Sequence, residues 1–98
     1  MADIRTVIDD LQALEDRLGA AENHDGKTRI RQVRSVLQQK VEDPVACIYT
    51  IDHIRRMLRG SPGLFTTAKP DPGQEAQLNE QIEKVTHSCR SFLEDQGQ

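Results

Sequence analysis

The stretch PVACIYTIDHIRRMLRG, residues 44–60, contains the start, the apolar face and the end of one α-helix. Pro44 suits the first helical turn, and Asp43 before it can cap the free backbone N–H groups. Gly60, followed by Ser-Pro, provides a stop. Apolar residues recur between these ends at alternating spacings of four and three, with two more at the flanks: Cys47, Ile51, Ile54 and Leu58, then Ile48 and Met57. This wide stripe predicts a helix packed against more than one neighbour.

Three further stretches repeat the same periodicity and predict three more helices. We expect helix 1 from Asp3 to Glu22, helix 2 from Lys27 or Thr28 to Glu42, and helix 4 from Pro72 to Asp95. The polar segment 22–26, ENHDG, is typical of a turn. The expected inner faces are Ile4, Val7, Leu11, Leu14, Leu18 and Ala21 in helix 1, Ile30, Val33, Leu37 and Val41 in helix 2, and Leu78, Ile82, Val85, Cys89 and Phe92 in helix 4. Glu15 is expected on an outer side of helix 1.

These helices predict an all-α fold, a four-helix up-down bundle that forms a single domain over residues 1–98. The shorter helices 2 and 3 are expected to form a central hairpin flanked by helices 1 and 4. A long Pro- and Gly-rich loop, residues 61–73, joins helices 3 and 4. Helices 1 and 4 have the most regular heptad seams, so the chain is also a candidate for self-association into a homo-oligomer.

The composition argues against several classes of function. The chain has 98 residues, a formal net charge of −3 and three aromatic residues, so general attraction to nucleic acid and base stacking are both weak. No apolar run approaches the roughly 20 residues of a membrane span. The first residues lack the apolar core of a secretory signal. Both cysteines, Cys47 and Cys89, fall on apolar stripes and are expected to be buried free thiols, which favours a cytoplasmic location.

No arrangement of residues with catalytic, metal-binding or nucleotide-binding spacing is found in the sequence. The histidines, His24, His53 and His87, have no second ligand at a spacing typical of a metal site. The glycines are dispersed, and none follows a strand and opens a helix as a phosphate loop requires. We therefore expect no cofactor, no metal and no enzymatic activity.

His53 is the one residue with a catalytic interpretation. It lies on the polar face of helix 3, beside Asp52 and three residues before Arg56. In this respect it resembles histidine-phosphotransfer domains, which are helical bundles with an exposed histidine and a basic residue three positions later. The bulky Met57 departs from the small residue that is usual four positions after that histidine. The resemblance implies phosphotransfer at His53 as a weaker alternative function.

Two features are candidates for binding a partner. Helix 2 carries a basic stripe formed by Lys27, Arg31 and Arg34. The stripe either faces solvent and complements the negative charge of helix 1, or it binds an acidic partner. Leu64 and Phe65 are apolar residues in the polar 61–73 loop, and they either plug one end of the bundle or contact a partner.

The leading prediction is a small non-catalytic protein–protein interaction module, such as an adaptor, a chaperone or a regulatory protein. Its partner is expected to be another protein that is acidic or helical. The main alternative is nucleic-acid binding through the basic helix 2 and the arginine-rich end of helix 3, against which the net charge counts.

Overall fold

Four α-helices make up most of the residues that this computed structural model describes, which are 3–60 and 72–97. The helices are α1 (Ile4–Ala20), α2 (His24–Gln39), α3 (Pro44–Gly60) and α4 (Pro72–Asp95). These residues contain no strand, so the prediction of an all-α fold with four helices is confirmed. Both ends of α3 and α4 agree with prediction. Residues 61–71 of the predicted long loop, with Leu64 and Phe65, lie outside the described residues.

Aspartate side chains cap the first and third helices. The Oδ1 of Asp3 accepts a hydrogen bond from the Thr6 backbone N–H at 2.9 Å, and the Oδ1 of Asp43 accepts one from the Ala46 N–H at 3.1 Å. The bond to the Thr6 N–H lowers the pKa of Asp3, because it favours the charged carboxylate. Each cap satisfies a backbone donor that the helix itself leaves unpaired.

The turn between α1 and α2 is shorter and earlier than predicted, because segment 22–26 is not a turn throughout. The N–H groups of Glu22 and Asn23 donate to the carbonyls of Gly19 and Leu18, which closes α1 with a Schellman motif. Glu22 occupies the left-handed position of that motif, with φ of 61°, where glycine is usual. Asn23 then caps α2 by accepting from the Gly26 N–H at 2.9 Å. Helix α2 therefore begins at His24 rather than at Lys27 or Thr28.

The opposite end of α2 also differs from the prediction, because the helix ends at Gln39 instead of Glu42. The Lys40 N–H donates to the Leu37 carbonyl, and the Asp43 N–H donates to the Lys40 carbonyl. The chain must leave helical geometry here, since a residue that precedes proline is disfavoured in the α region. Val41, which was predicted on the inner face, consequently lies beyond the helix and is 43% exposed.

All four helices contribute to one hydrophobic cluster. Its fully buried members include Val7, Leu11, Leu14, Leu18, Ile30, Leu37, Ile51, Ile54 and Val85. Helix α1 packs most extensively, against α2 on one side and α4 on the other, whereas α2 and α3 share the least extensive of the four interfaces between neighbouring helices. Each helix thus has two neighbours, and α2 and α3 are not the central pair that the sequence predicts, because α1 is the most extensively packed helix.

Polar side chains tie α1 to α4 at several levels. The Nε2 of buried Gln81 donates to the Asp10 backbone carbonyl at 2.9 Å, and the Ser88 hydroxyl donates to the Asp10 carboxylate. Nearer the other end of the pair, an Arg17 NH1 donates to the Oε1 of Gln77 at 3.0 Å. These bonds satisfy the buried polar groups of α4 and specify how the two helices align.

The described residues contain no helix with the length and apolar character needed to cross a bilayer.

Replacing Ile51 with Asp should unfold or severely destabilise the protein. Ile51 is fully buried at the centre of α3, and an unpaired carboxylate there must lose its hydration or become protonated. We expect a loss of at least about 3 kcal/mol in the free energy of unfolding. Thermal melts followed by circular dichroism would measure it. The matched control is Tyr49→Asp, two residues away on the same helix and 74% exposed, which should melt close to wild type. Similar melting of the two variants would contradict this orientation of α3.

Candidate functional site

A buried carboxylate joins α1 to the basic stripe of α2. Glu15 is only 3% exposed, and each of its oxygens accepts one hydrogen bond from an arginine. Arg31 Nε lies 2.8 Å from Oε1, and Arg34 Nε lies 2.9 Å from Oε2. We call these three residues the Glu15 clamp. Charge-assisted bonds of this length are among the stronger polar contacts in proteins, so the clamp fixes α2 against α1.

Arg31 and Arg34, two of the predicted partner-binding residues, thus have an intramolecular role. The side chain of Arg34 is 16% exposed and that of Arg31 is 57% exposed, so Arg31 keeps the larger free surface. Lys27 is half-buried, and its Nζ would lie 3.1 Å from a Cβ added at Gly19 of α1. The basic stripe therefore packs along α1. Binding of a partner by Lys27, Arg31, Arg34, Leu64 or Phe65 stays a prediction, and the last two lie outside the described residues.

Glu15 is buried, whereas the sequence pattern predicts it on an outer side of α1. It lies four residues after Leu11 and three before Leu18, which are both fully buried. The available signal was this position at the edge of the apolar stripe, together with two arginines three residues apart on α2. Burial by itself raises the pKa of Glu15, but the hydrogen bonds from Arg31 and Arg34 lower it by a larger amount. The net result is a carboxyl pKa below its ordinary value of 4.5.

A groove of about 360 Å³ lies where α2 and α3 pack least extensively. Helix α2 lines it with Arg29, Gln32, Val33 and Val36, which recur at helical spacing on one side. Helix α3 lines it with Tyr49, Thr50 and His53. We call this feature the α2–α3 groove. Val33 and Val36 give its lining an apolar part, and Arg29, Gln32 and His53 contribute polar or charged groups.

The described residues contain four exposed large apolar side chains, Val36, Val41, Val45 and Tyr49, which are 44%, 43%, 61% and 74% exposed. Val36 and Tyr49 line the α2–α3 groove, whereas Val41 lines a separate cavity together with Ile4 and Phe92. Val45 and Tyr49 are one helical turn apart and lie on the same face of α3. Isolated exposed apolar residues are normal on a protein surface, but a group on one face is typical of a binding surface.

Charge is divided unequally between two halves of the molecule. Residues 24–60, the basic half, carry eight Lys and Arg and four Asp and Glu, which is a net +4. Residues 3–22 and 72–97, the acidic half, carry four Lys and Arg and eleven Asp and Glu, which is a net −7. The overall charge of −3 thus conceals an excess of basic residues on α2 and α3, of which Arg31 and Arg34 pair with Glu15 of α1. A field of this kind accelerates the approach of an acidic partner from solution.

His53 is exposed, as predicted, and it lines the α2–α3 groove, as does Arg29 on the opposite helix. Arg56, the basic residue three positions later, makes an ion pair with Asp52 at 3.1 Å. Among the described residues, no three His, Cys, Asp or Glu side chains come together as metal ligands. The possibility of phosphotransfer at His53 stays a prediction.

Both cysteines are free and buried, as predicted. Burial raises the pKa of Cys89 to about 12, despite the positive charge of Arg55. Burial, and to a lesser extent the charge of Asp43, also raises the pKa of Cys47, whose thiol donates to the Lys40 carbonyl. Because the thiolate is the reactive form, both side chains are held in their unreactive state at neutral pH.

The Glu15 clamp should contribute measurably to stability. We expect Glu15→Gln to lower the free energy of unfolding by about 1–3 kcal/mol at pH 7, since it removes the charge that both arginines bind. Denaturant titration would measure the loss, with Asp16→Asn on the exposed side of the same helix as the control. The difference between wild type and Glu15→Gln should be complete above pH 4.5 and should shrink as the pH falls through the lowered pKa of Glu15. Equal stabilities of Glu15→Gln and Asp16→Asn at pH 7 would show that the clamp is energetically neutral.

The two cysteines should react slowly with a thiol reagent in the folded protein. Their burial and raised pKa values keep the thiolate concentration low and the sulfur atoms shielded. Timed labelling with and without denaturant would test this, using His87→Cys as an exposed control on α4. Rapid labelling of the native cysteines without denaturant would mean that the core opens on the timescale of the experiment.

Comparisons with protein-family models, with curated proteins and with solved structures find no match to this chain.

Proposed function

We propose that this chain is a small non-catalytic protein-interaction module, of the adaptor, chaperone or regulator type. Its partner binds the face formed by α2 and α3. The observation that carries the proposal is that exposed Val36 and Tyr49 line the α2–α3 groove together with Arg29, between the two helices that hold the excess of basic residues. Apolar contact holds a bound partner, whereas complementary charge speeds its approach.

The packing of the helices supports the same choice of face. Helix α1 satisfies its apolar stripe against α2 and α4, whereas the limited contact between α2 and α3 leaves Val36 and Tyr49 in solvent. Covering such side chains is favourable by about 25 cal/mol for each Å² of apolar surface removed from water. A partner can therefore gain energy here without disturbing the core.

The remaining features of the proposal follow from the arrangement of the helices. We propose an up-down order, which is supported by contacts that run in opposite directions along α1 and α4: Arg17 meets Gln77, whereas Asp10 meets Gln81 and Ser88. The shared hydrophobic cluster supports a single domain.

The two cysteines bear on location and on catalysis. Because both are free, they support a cytoplasmic location. The raised pKa values of both thiols support a non-catalytic role.

Nucleic-acid binding is a second candidate, favoured by a concentration of charge. Residues 24–33 and 50–60, which we call the basic end, contain six Lys and Arg and two Asp and Glu. Binding that depends on phosphate neutralisation falls steeply with salt. A labelled DNA duplex mixed with the protein at low salt would detect it. If the duplex does not bind at low salt, the nucleic-acid candidate is rejected and binding of a protein partner is the function that remains supported.

The proposed function is tested by quantitative affinity capture from the native host, followed by binding measurements with the purified partner. We expect Arg29→Glu combined with Arg56→Glu to slow association about tenfold at low salt and to weaken its salt dependence. The control Arg5→Glu combined with Arg90→Glu changes the net charge equally on the acidic half and should leave association nearly unchanged. If Phe65 is an anchor, Phe65→Ala should speed dissociation. Failure of the wild type to enrich any protein above an unrelated helical control would reject the proposed function.

A further inference from the structure

We infer that the α2–α3 groove receives an amphipathic helix of another protein, with acidic residues at one end of that helix. The inference rests on the proposed function and adds the structural class and charge pattern of the partner. The groove lies between α2 and α3, and its apolar lining includes Val33 and Val36. A helix laid in such a groove is held by apolar side chains spaced at i, i+3 or i+4, and i+7.

The dimensions of the surface match a short helical segment. Val45, Tyr49 and His53 recur at intervals of four residues on α3, which spans about 12 Å at 1.5 Å per residue. On α2, the lining residues extend from Arg29 to Val36. The surface therefore accommodates about two to three turns of a partner helix. Tyr49 is the best anchor, because an exposed aromatic ring offers a large contact area and a hydroxyl group.

The charge pattern along the groove sets the polarity of the partner. The basic end carries the entire net +4 of the basic half, whereas residues 34–49 contain two basic and two acidic side chains and are neutral. Arg29 lines the groove at the basic end and makes no hydrogen bond or ion pair in the part of the chain that the structure describes. Arg56 pairs with Asp52, and Asp25 lies near Arg29. The acidic end of the partner helix thus lies over Arg29, and its apolar part covers Val36, Tyr49 and Val45.

A second copy of this chain matches the surface less well in either geometry. A symmetric contact of two α2–α3 faces would join apolar residues but would also bring two basic halves together, and the groove lining has no acidic side chain to pair with Arg29. A head-to-tail contact would place the basic face on the acidic half. Among the described residues of that half, however, no large apolar side chain is exposed to fill the groove. A separate acidic, amphipathic segment satisfies both the charge and the apolar surface.

The test uses a display library of random peptides of about 16 residues, long enough for four helical turns. The library is selected on the full-length protein and counter-selected on the Val36→Ser, Tyr49→Ser double variant. We expect the enriched peptides to carry apolar residues at helical spacing and Asp or Glu at one end. Synthetic versions should bind the double variant at least about tenfold more weakly than wild type. Arg29→Glu should weaken them about fivefold, whereas Arg90→Glu on α4 should change little.

All variants must melt at the same temperature as wild type for the comparison to count. We expect this because the four substituted side chains are exposed: Arg29, Val36, Tyr49 and Arg90. Enriched peptides that are basic, that lack helical spacing, or that bind the double variant equally well would overturn the inference. So would a selection that yields no peptide dependent on Tyr49. Dimerisation that the double variant abolishes would reassign the groove to a second copy. If a captured native partner binds the double variant normally, the proposed function stands and the groove assignment fails.

Discussion

The structure depends on the burial of α1 between two neighbours. Its apolar residues Val7, Leu11, Leu14 and Leu18 are fully buried, and its interfaces with α2 and α4 are the two most extensive between helices. In a chain with 36% hydrophobic residues, that arrangement uses much of the available apolar surface. The alignment of α1 with its neighbours is then specified by polar contacts. The Glu15 clamp fixes α2, and the bonds from Gln81 and Ser88 to Asp10 fix α4.

The surface proposed for a partner follows from this distribution of packing. Because α2 and α4 turn their apolar faces toward α1, the contact between α2 and α3 is limited, and a groove remains between them. The charges are also unequally divided, since most basic residues belong to α2 and α3 and most acidic residues belong to α1 and α4. A molecule with this charge division attracts an acidic partner while its overall negative charge disfavours indiscriminate association with nucleic acid. The proposed role as an interaction module rests on these two physical features.

The basic stripe of α2 illustrates why charge patterns in a sequence have more than one meaning. Lys27, Arg31 and Arg34 were candidates either to answer the acidic helix 1 or to bind a partner. In the structure, Arg31 and Arg34 share the buried carboxylate of Glu15, and Lys27 packs against Gly19. Sequence spacing places the three cations on one side of a helix, but it carries no information on what faces that side. Arg29 does not belong to the predicted basic stripe, yet it is the arginine that lines the groove.

What the sequence by itself determined was the local structure: the helical class, the number of helices, both ends of α3 and α4, and the burial of residues such as Ile51 and Cys89. These properties depend on the period of the apolar residues and on caps within a few positions, so they can be read from neighbouring residues. The tertiary structure alone decided that Glu15 is buried, that Val41 is exposed and that α1 is the most extensively packed helix. It also decided which basic residues remain available to a partner. Each of these depends on groups distant in the sequence or on the path of a turn, because burial and ion pairing are properties of surfaces that meet only after the helices pack.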